Sequence, residues 1–415
     1  MIVIIGGGIC GLYMGVELLK KGYRDVTIYE KYDYIGGRVV TIKRSDGTTY
    51  DIGAGRIHES HGLVMELITR YGLTWGEFQD VAPLYISEYG ARAVRNDFEE
   101  SAMPIFKRLV KEYGNVLGTT TIGRLLCKML GEEKAHELID KFPYETEIWK
   151  MRADVSLMGF LKGGVMGTRE GFGTIKGGLG MLITALKDDF IRLGGKIVTE
   201  WTLREVREDG AVIGVYNGRE ETIRGMPVIL ALHVNALKAV KGVGDKIDAL
   251  RWIDMAPLVR IYGKWGAGDG GGKPWFSKLP KIVTSTPERY IIPVNPDAGL
   301  LMASYTDGED TSAWMSRAAR CEPRMHVGWE KMLMRGLRSL FPDRNIPEPE
   351  WLRAYPWTDG TSYWIPGDYS PDVAALSIMF PPINDVYICG ESISVGNQAW
   401  MEGALESADK LLMLF

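Results

Sequence analysis

Gly6, Gly8 and Gly11 stand in the spacing G-x-G-x-x-G, and an acid, Glu30, follows 19 residues after Gly11. Each position has a mechanical use in holding a dinucleotide. The first glycine permits a tight turn, the second lets the backbone approach a pyrophosphate, and the third allows a helix to pack closely on a strand. The helix that opens there turns the positive end of its dipole toward the phosphates. Glu30 is placed to accept hydrogen bonds from ribose hydroxyls. These residues alone are also met in a nicotinamide-dependent dehydrogenase. The next cluster decides against that reading: Gly36-Gly37-Arg38, then Tyr50-Asp51-Ile52-Gly53-Ala54-Gly55-Arg56. An arginine shortly after the acid, held on a double glycine, can reach back to the same pyrophosphate through its fork of donors.

The elements that must position these residues show in the apolar pattern. Residues 2–5 are β-branched and apolar, 12–21 have helical spacing, and 26–30 alternates again. That is a strand, tight turn, helix and strand in one βαβ unit. Helical patterning dominates 75–162, with helices expected over 103–113 and 122–142. A second βαβ-like stretch opens at Gly177, with a helix to about 193, strands near 196–200 and 211–216, and a buried-sheet profile at 227–232. Strands broken by turns, including a flexible glycine run at 266–272, fill 255–307, and charged helical segments follow over 312–341. A strand at 386–389 leads into a last helix from 401. The expected fold is α/β in two domains. A Rossmann-like nucleotide-binding domain is assembled from 1–75, 171–254 and 351–415, and an α+β substrate domain from 76–170 and 255–350.

Composition narrows the partner. Of 415 residues, 46% are hydrophobic and 25% charged, the balance of a soluble globular protein, and the net charge of -4 leaves no electrostatic footprint for nucleic acid. No apolar run is long enough for a membrane span. Cys10, Cys127, Cys321 and Cys389 are scattered, without the spacing of a metal site or a disulfide framework, and read as reduced thiols of a cytoplasmic protein. The partner expected is a small metabolite, and the sequence leaves a homodimer open.

The glycine and arginine segments resemble the flavin-containing amine oxidase superfamily, which includes monoamine, polyamine and L-amino-acid oxidases. The resemblance runs from I-G-G-G-I-C-G-L and the Tyr29-Glu30 pair through I-G-G-R-V-V-T and Y-D-I-G-A-G-R-I-H. It continues in G-G-L-G-M at 177–181 and ends in Y-I-C-G-E-S and W-M-E-G-A near the C-terminus. It implies a two-domain flavoprotein whose FAD-binding domain holds FAD across the whole chain. Ile9, Cys10, Lys31, Gly37, Gly53, Ala54, Gly55 and Arg56 fall in the segments that line the cofactor in such proteins. Val206 sits where relatives hold the adenine with backbone groups. Gly390 and Glu391 fall beside the ribityl and pyrophosphate region. Trp400, Met401 and Ala404 mark the start of a helix whose dipole faces the flavin ring. Ser362 stands close to the point where monoamine oxidases attach flavin through cysteine, so the FAD is expected to be non-covalent.

The same resemblance implies an oxidation. A hydride equivalent leaves the carbon beside an uncharged amine for flavin N5, giving an imine, while oxygen is the acceptor and hydrogen peroxide the product. Tyr363 and Trp400 occupy positions where relatives place two aromatic rings before the flavin, with Trp364 as the alternative to Tyr363. G-A-G-R followed by His61 is similar to L-amino-acid oxidases, whose matching arginine clamps the substrate carboxylate. Arg56 therefore has two readings, substrate clamp or contact to FAD phosphate or a structural acid. His58 falls where some polyamine oxidases have an active-site histidine, with a structural role as its other reading. Arg260 replaces a lysine that many relatives hydrogen-bond through water to N5, a change of shape at constant charge. Two alternatives to an amine or amino-acid oxidase stay open: a flavin desaturase like protoporphyrinogen oxidase or the carotenoid desaturases, and a flavoprotein with a binding role only.

Overall fold

A computed structural model describes residues 1–79, 81–161, 170–266, 272–316 and 323–415. Cys321 and residues 267–271 of the glycine run lie outside them. The first strand, Ile2–Ile5, is buried along its whole length at 0 to 4% exposure. A strand sealed on both faces belongs at the centre of a parallel sheet, which explains its unbroken apolar run. It pairs in parallel with Val26–Tyr29 on one side and Val228–Leu230 on the other, and Lys196–Val198 and Val386–Ile388 complete five strands. The helix Ile9–Lys20 covers this sheet, packed between the helices Gly180–Arg192 and Met401–Leu412. Residues far apart in sequence thus share one core, as the doubly wound architecture requires.

The second large sheet has seven strands. The long strands Ile253–Lys264 and Trp351–Trp364 pair antiparallel from Ile253 opposite Trp364 to Lys264 opposite Trp351. Trp351–Trp364 begins in this sheet, and its final residues reach the nucleotide-binding side through bonds described below. Four helices, Phe98–Tyr113, Ile122–Leu130, Glu132–Ile139 and Ala153–Phe160, pack on the far strands around Phe98, Phe106, Phe142 and Phe160. The single helix expected over 122–142 is two, because Gly131 adopts φ +83°, a left-handed conformation that ends one helix and starts the next.

A small sheet of Ile57–His58, Phe172–Ile175 and Trp75–Glu77 sets His58 opposite Phe172. The fold also joins two of the scattered cysteines. Cys10 and Cys389 are buried side by side, and the hydrogen bond from Cys10 together with burial pushes the Cys389 thiol well above its ordinary range. No helix among the described residues is long and apolar enough to cross a membrane.

Candidate active site

The three motif glycines divide by mechanism. Gly6 adopts φ +110°, and a Cβ there would run into the carbonyl of Ala231 on the neighbouring strand segment. A Cβ on Gly11 would collide with the Gly6 carbonyl oxygen, so this glycine lets the helix sit on the turn. Gly8 differs, because a Cβ there meets nothing within 4 Å. Its smoothness serves something other than the protein's own packing. The helix begins at Ile9, three residues earlier than the apolar pattern suggested, and no side chain caps it. The amides of Ile9, Cys10 and Gly11 therefore point out of a bare helix N-terminus, the arrangement that binds phosphate.

Around this turn the chain is braced by acids. The Glu30 carboxylate accepts from the amide of Gly7 at 2.7 Å and of Tyr32 at 2.9 Å. It holds the turn's shape and keeps lone pairs for further donors. Gly36 donates to the Gly7 carbonyl at 2.9 Å, which brings Gly37 beside Gly8. Lys31 lies on the surface with its ammonium 5.2 Å from the Tyr32 ring. Arg38 ion-pairs with Glu391 and donates to the Gly360 carbonyl at 3.2 Å. The Arg38 carbonyl receives the amide of Ala54 at 2.9 Å, and Gly53 is needed because a Cβ there would strike that same oxygen.

Glu391 is the hub of the C-terminal segment. Besides Arg38 it accepts from the Ser362 hydroxyl, the Ala399 amide at 3.0 Å and the Ser392 hydroxyl at 3.2 Å. Burial alone would push its carboxyl up, but the Arg38 charge and these hydrogen bonds together hold it below the usual carboxylate range. The Ser362 bond uses the end of the long strand, and Trp364 beside it donates its amide to Gln398 at 3.0 Å and its indole to the Ser394 carbonyl at 2.9 Å. The next acid, Glu402, accepts from Leu63 and Val64 at the start of the helix Gly62–Arg70. W-M-E-G-A thus ties the last helix to the segment that carries Arg56, His58 and His61. Met401 and Ala404 are buried in the first turn of that last helix.

The Val206 amide donates to the Lys241 carbonyl at 2.9 Å and its side chain is 2% exposed. Its N–H is already spent within the protein and is not available to an adenine.

On the other side of Gly53–Gly55 lies a box of rings around a cation. The Arg56 guanidinium carbon sits 4.8 Å from the Phe172 ring, 5.2 Å from Trp400 and 5.4 Å from Tyr144. Among the described residues it forms no ion pair and no hydrogen bond. Burial by itself would lower its affinity for a proton, but Tyr144, Tyr305 and Tyr290 more than offset that. Arg260, 6% exposed, lies beneath: a Cβ on Gly55 would stand 2.9 Å from its Nη1. Its Nη1 donates to the Asp51 carbonyl at 3.3 Å, its guanidinium carbon lies 4.5 Å from the Tyr305 ring, and its Nε has no partner among the described residues. Phe172, Tyr144, Tyr290 and Tyr305 are absent from any sequence motif and reach the box only through the fold.

Trp400 packs against Phe172 at 6.0 Å, nearly parallel, and edge-on against His61 at 5.1 Å. Tyr363 is turned elsewhere: it pairs across the sheet with Asp254 and donates its hydroxyl to that residue at 3.3 Å. Alternation along the strand explains this, since Ser362 and Trp364 face the Glu391–Gln398 loop and Tyr363 the opposite side. Trp364, fully buried, is a core residue. His58 is held by the Ser60 hydroxyl at 2.7 Å and amide at 3.1 Å on Nδ1, and by the Glu170 carbonyl at 3.1 Å on Nε2. Both of its ring nitrogens are hydrogen-bonded within the protein.

The pieces fit a flavin dinucleotide: an open glycine and uncapped amides for the pyrophosphate, the Arg38–Glu391 pair beside them, and a cluster of aromatic rings around Arg56, next in sequence to Gly53–Gly55. Comparison with known proteins agrees. The chain is 23% identical to polyamine oxidase 7 of Oryza sativa subsp. japonica over 466 residues, covering 97% of this chain and 92% of that protein. Over 78 residues, 19% of the chain and 16% of the relative, it is 37% identical to L-amino acid oxidase Bs29 of Bothriechis schlegelii. The structure of cyclohexylamine oxidase from Brevibacterium oxydans IH-35A shares the fold, with a TM-score of 0.75 at 18% identity over 100% of this chain and 98% of that one. These relatives are named as oxidases of amines or amino acids, in line with amine oxidation. A family model for flavin containing amine oxidoreductases matches residues 9–410, and the chain belongs to that family, with FAD as its cofactor.

Proposed function

We propose that this enzyme oxidises amines that carry a carboxylate, of the α-amino-acid type, with oxygen as acceptor and hydrogen peroxide as product. The observation that carries this reading is Arg56, a guanidinium enclosed by Phe172, Trp400 and Tyr144 with no carboxylate of the described protein paired to it. A guanidinium in that setting is completed by a carboxylate taken from solution, through two parallel hydrogen bonds. FAD, when bound, supplies the chemistry by accepting the hydride equivalent from the carbon beside the amine.

The chain's own residues do the rest. Arg56 orients the substrate, and Phe172 and Trp400 offer apolar faces that shed water from the reacting carbon. His61, 2% exposed beside Trp400, has its pKa pushed down to about 4 by burial, with His58 and Arg56 adding to the effect. It is neutral at physiological pH and adds no positive charge against the amine.

The test is anaerobic bleaching of the flavin-loaded protein by a panel of α-amino acids, the same amines without the carboxylate, and polyamines. α-Amino acids should bleach it with the largest second-order rate constants. Faster bleaching by the decarboxylated amines or by polyamines would overturn the proposal.

A further inference from the structure

The chamber holds more positive charge than one carboxylate needs. Arg56 and Arg260 converge on one cluster of tyrosines: Arg56 at 5.4 Å from Tyr144, Arg260 at 4.5 Å from Tyr305, and Tyr144 and Tyr305 5.3 Å apart. Tyr290 closes the group at 6.1 Å from Tyr144 and 6.5 Å from Tyr305. Neither arginine is ion-paired with a described residue, and the Nε of the buried Arg260 has no partner among the described residues. The hydroxyls of Tyr144 and Tyr290 bond to no described residue, and that of Tyr305 faces Arg260. The cluster is rich in hydrogen-bonding groups, and none of its described members carries a carboxylate.

The nearby acids feel this charge, Asp51 that of Arg260 and Glu147 that of Arg56, but among the described residues neither forms an ion pair with a guanidinium. Asp51 turns its carboxylate away, onto the Thr41 hydroxyl and the Leu179 amide. Glu147 has its carboxyl pushed up to about 8 by burial, with Asp307 next in effect, so it is largely protonated at neutral pH. A buried guanidinium, Arg260, beside a half-buried one, Arg56, neither ion-paired to an acid of the described residues, is costly unless a ligand supplies the anions.

Resting on the reading that Arg56 holds a carboxylate, we propose that the Arg56–Arg260–tyrosine cluster receives a second anionic group, making dicarboxylic α-amino acids such as glutamate and aspartate the preferred substrates. One carboxylate sits on Arg56. The other sits among the tyrosine hydroxyls with Arg260 behind them. A neutral side chain there could accept hydrogen bonds but would leave the Arg260 charge without an anion, which is the physical origin of the discrimination.

The experiment uses the flavin-loaded enzyme. Anaerobic reduction is followed with glutamate, aspartate, glutamine, asparagine and leucine, and the flavin spectrum is titrated with two ligands that cannot be oxidised, glutarate and butyrate. Glutamate should exceed glutamine in reduction rate over Kd by about 10- to 100-fold, and glutarate should bind at least about tenfold more tightly than butyrate. Arg260→Gln should erase both ratios. Tyr290→Phe, which removes one hydroxyl and keeps the ring, should shrink them even if the arginine variant fails to fold. Equal rates for glutamate and glutamine, or equal binding of glutarate and butyrate, would overturn this inference while leaving amino-acid oxidation standing wherever neutral amino acids reduce the flavin. Reduction only by amines without a carboxylate would overturn both.

Discussion

Arg38 and Glu391 form an ion pair across 353 residues of chain, joining the second glycine turn to the end of the last sheet strand. Glu391 is buried and Arg38 is partly exposed, so the acid carries the larger desolvation and is the member whose removal is felt. Glu391→Gln keeps the shape and leaves Arg38 without its counter-charge. The variant should lose about 2–4 kcal/mol of stability without cofactor, and it should lose FAD on gel filtration. The sign with pH follows from the depressed carboxyl. Its contribution is complete above the unfolded carboxylate pKa near about 4.3 and disappears as pH falls through the lower folded value. Urea unfolding of the cofactor-free protein between neutral and acid pH should therefore show wild type and variant converging at the acid end. Parallel curves would contradict the assignment.

The motif glycines should separate in mutagenesis. Gly8 has φ -75° and open space where a Cβ would go, so Gly8→Ala should fold with nearly wild-type stability. It should nevertheless weaken FAD binding by about tenfold or more, because the methyl group occupies the ground of the pyrophosphate. Gly11→Ala meets the Gly6 carbonyl and should lose about 3 kcal/mol without cofactor present. Thermal melts of the apoproteins and flavin titrations check both halves. A Gly8→Ala protein that binds FAD normally would move the pyrophosphate elsewhere.

Much of the nucleotide end was legible because its signals are local. Strand, turn and helix follow one another within one unit, and the apolar run of Ile2–Ile5 reports burial on both faces. The helix start at Ile9 was not, since glycines that lie inside a first turn look like loop in a sequence. Of the ring cluster around Arg56, the sequence singled out only Arg56 itself and Trp400. Phe172, Tyr144, Tyr290 and Tyr305 come from separate segments and meet through sheet pairing such as His58 opposite Phe172. Tyr363 shows the limit of spacing arguments, because a shift of one residue along a strand reverses the face on which a side chain stands. Cys10 and Cys389 show the same for contacts, being neighbours that no linear distance announces.

His61 makes the protein acid-sensitive in a defined window. Burial, then the charges of His58 and Arg56, bring its pKa down to about 4, against about 6.5 when unfolded. Between those values the unfolded chain binds a proton that the folded chain does not. Stability must therefore fall as pH drops from about 6.5 to about 4, by roughly 3 kcal/mol at about 1.36 kcal/mol per pKa unit. His61→Gln, which cannot ionise, should remove that part of the slope. His233, also pushed down to about 4 by burial and by Arg38, leaves a remainder of the same sign. Denaturant titrations of both proteins at matched flavin loading measure the difference, and an unchanged slope in the variant would refute the role of His61.

Replacing Arg56 tests substrate recognition apart from cofactor binding. Its rings, Phe172, Trp400 and Tyr144, remain when the guanidinium is removed, and the phosphate-binding turn at Gly6–Gly11 shares no hydrogen bond with it. Arg56→Ala should therefore keep its full flavin content. Its kcat/KM for carboxylate-bearing amines should fall about 100- to 1000-fold, corresponding to about 3–4 kcal/mol for a charge-assisted double hydrogen bond taken out of water. Amines without a carboxylate should be oxidised at least as fast by the variant, since they no longer face an unpaired cation in a ring-lined box. Arg56→Lys should fall between, because an ammonium keeps the charge and loses the paired geometry. Flavin absorbance of the purified variants and steady-state kinetics on paired substrates distinguish the outcomes. A flavin-free Arg56→Ala protein would assign the guanidinium to the cofactor and remove the basis for carboxylate recognition.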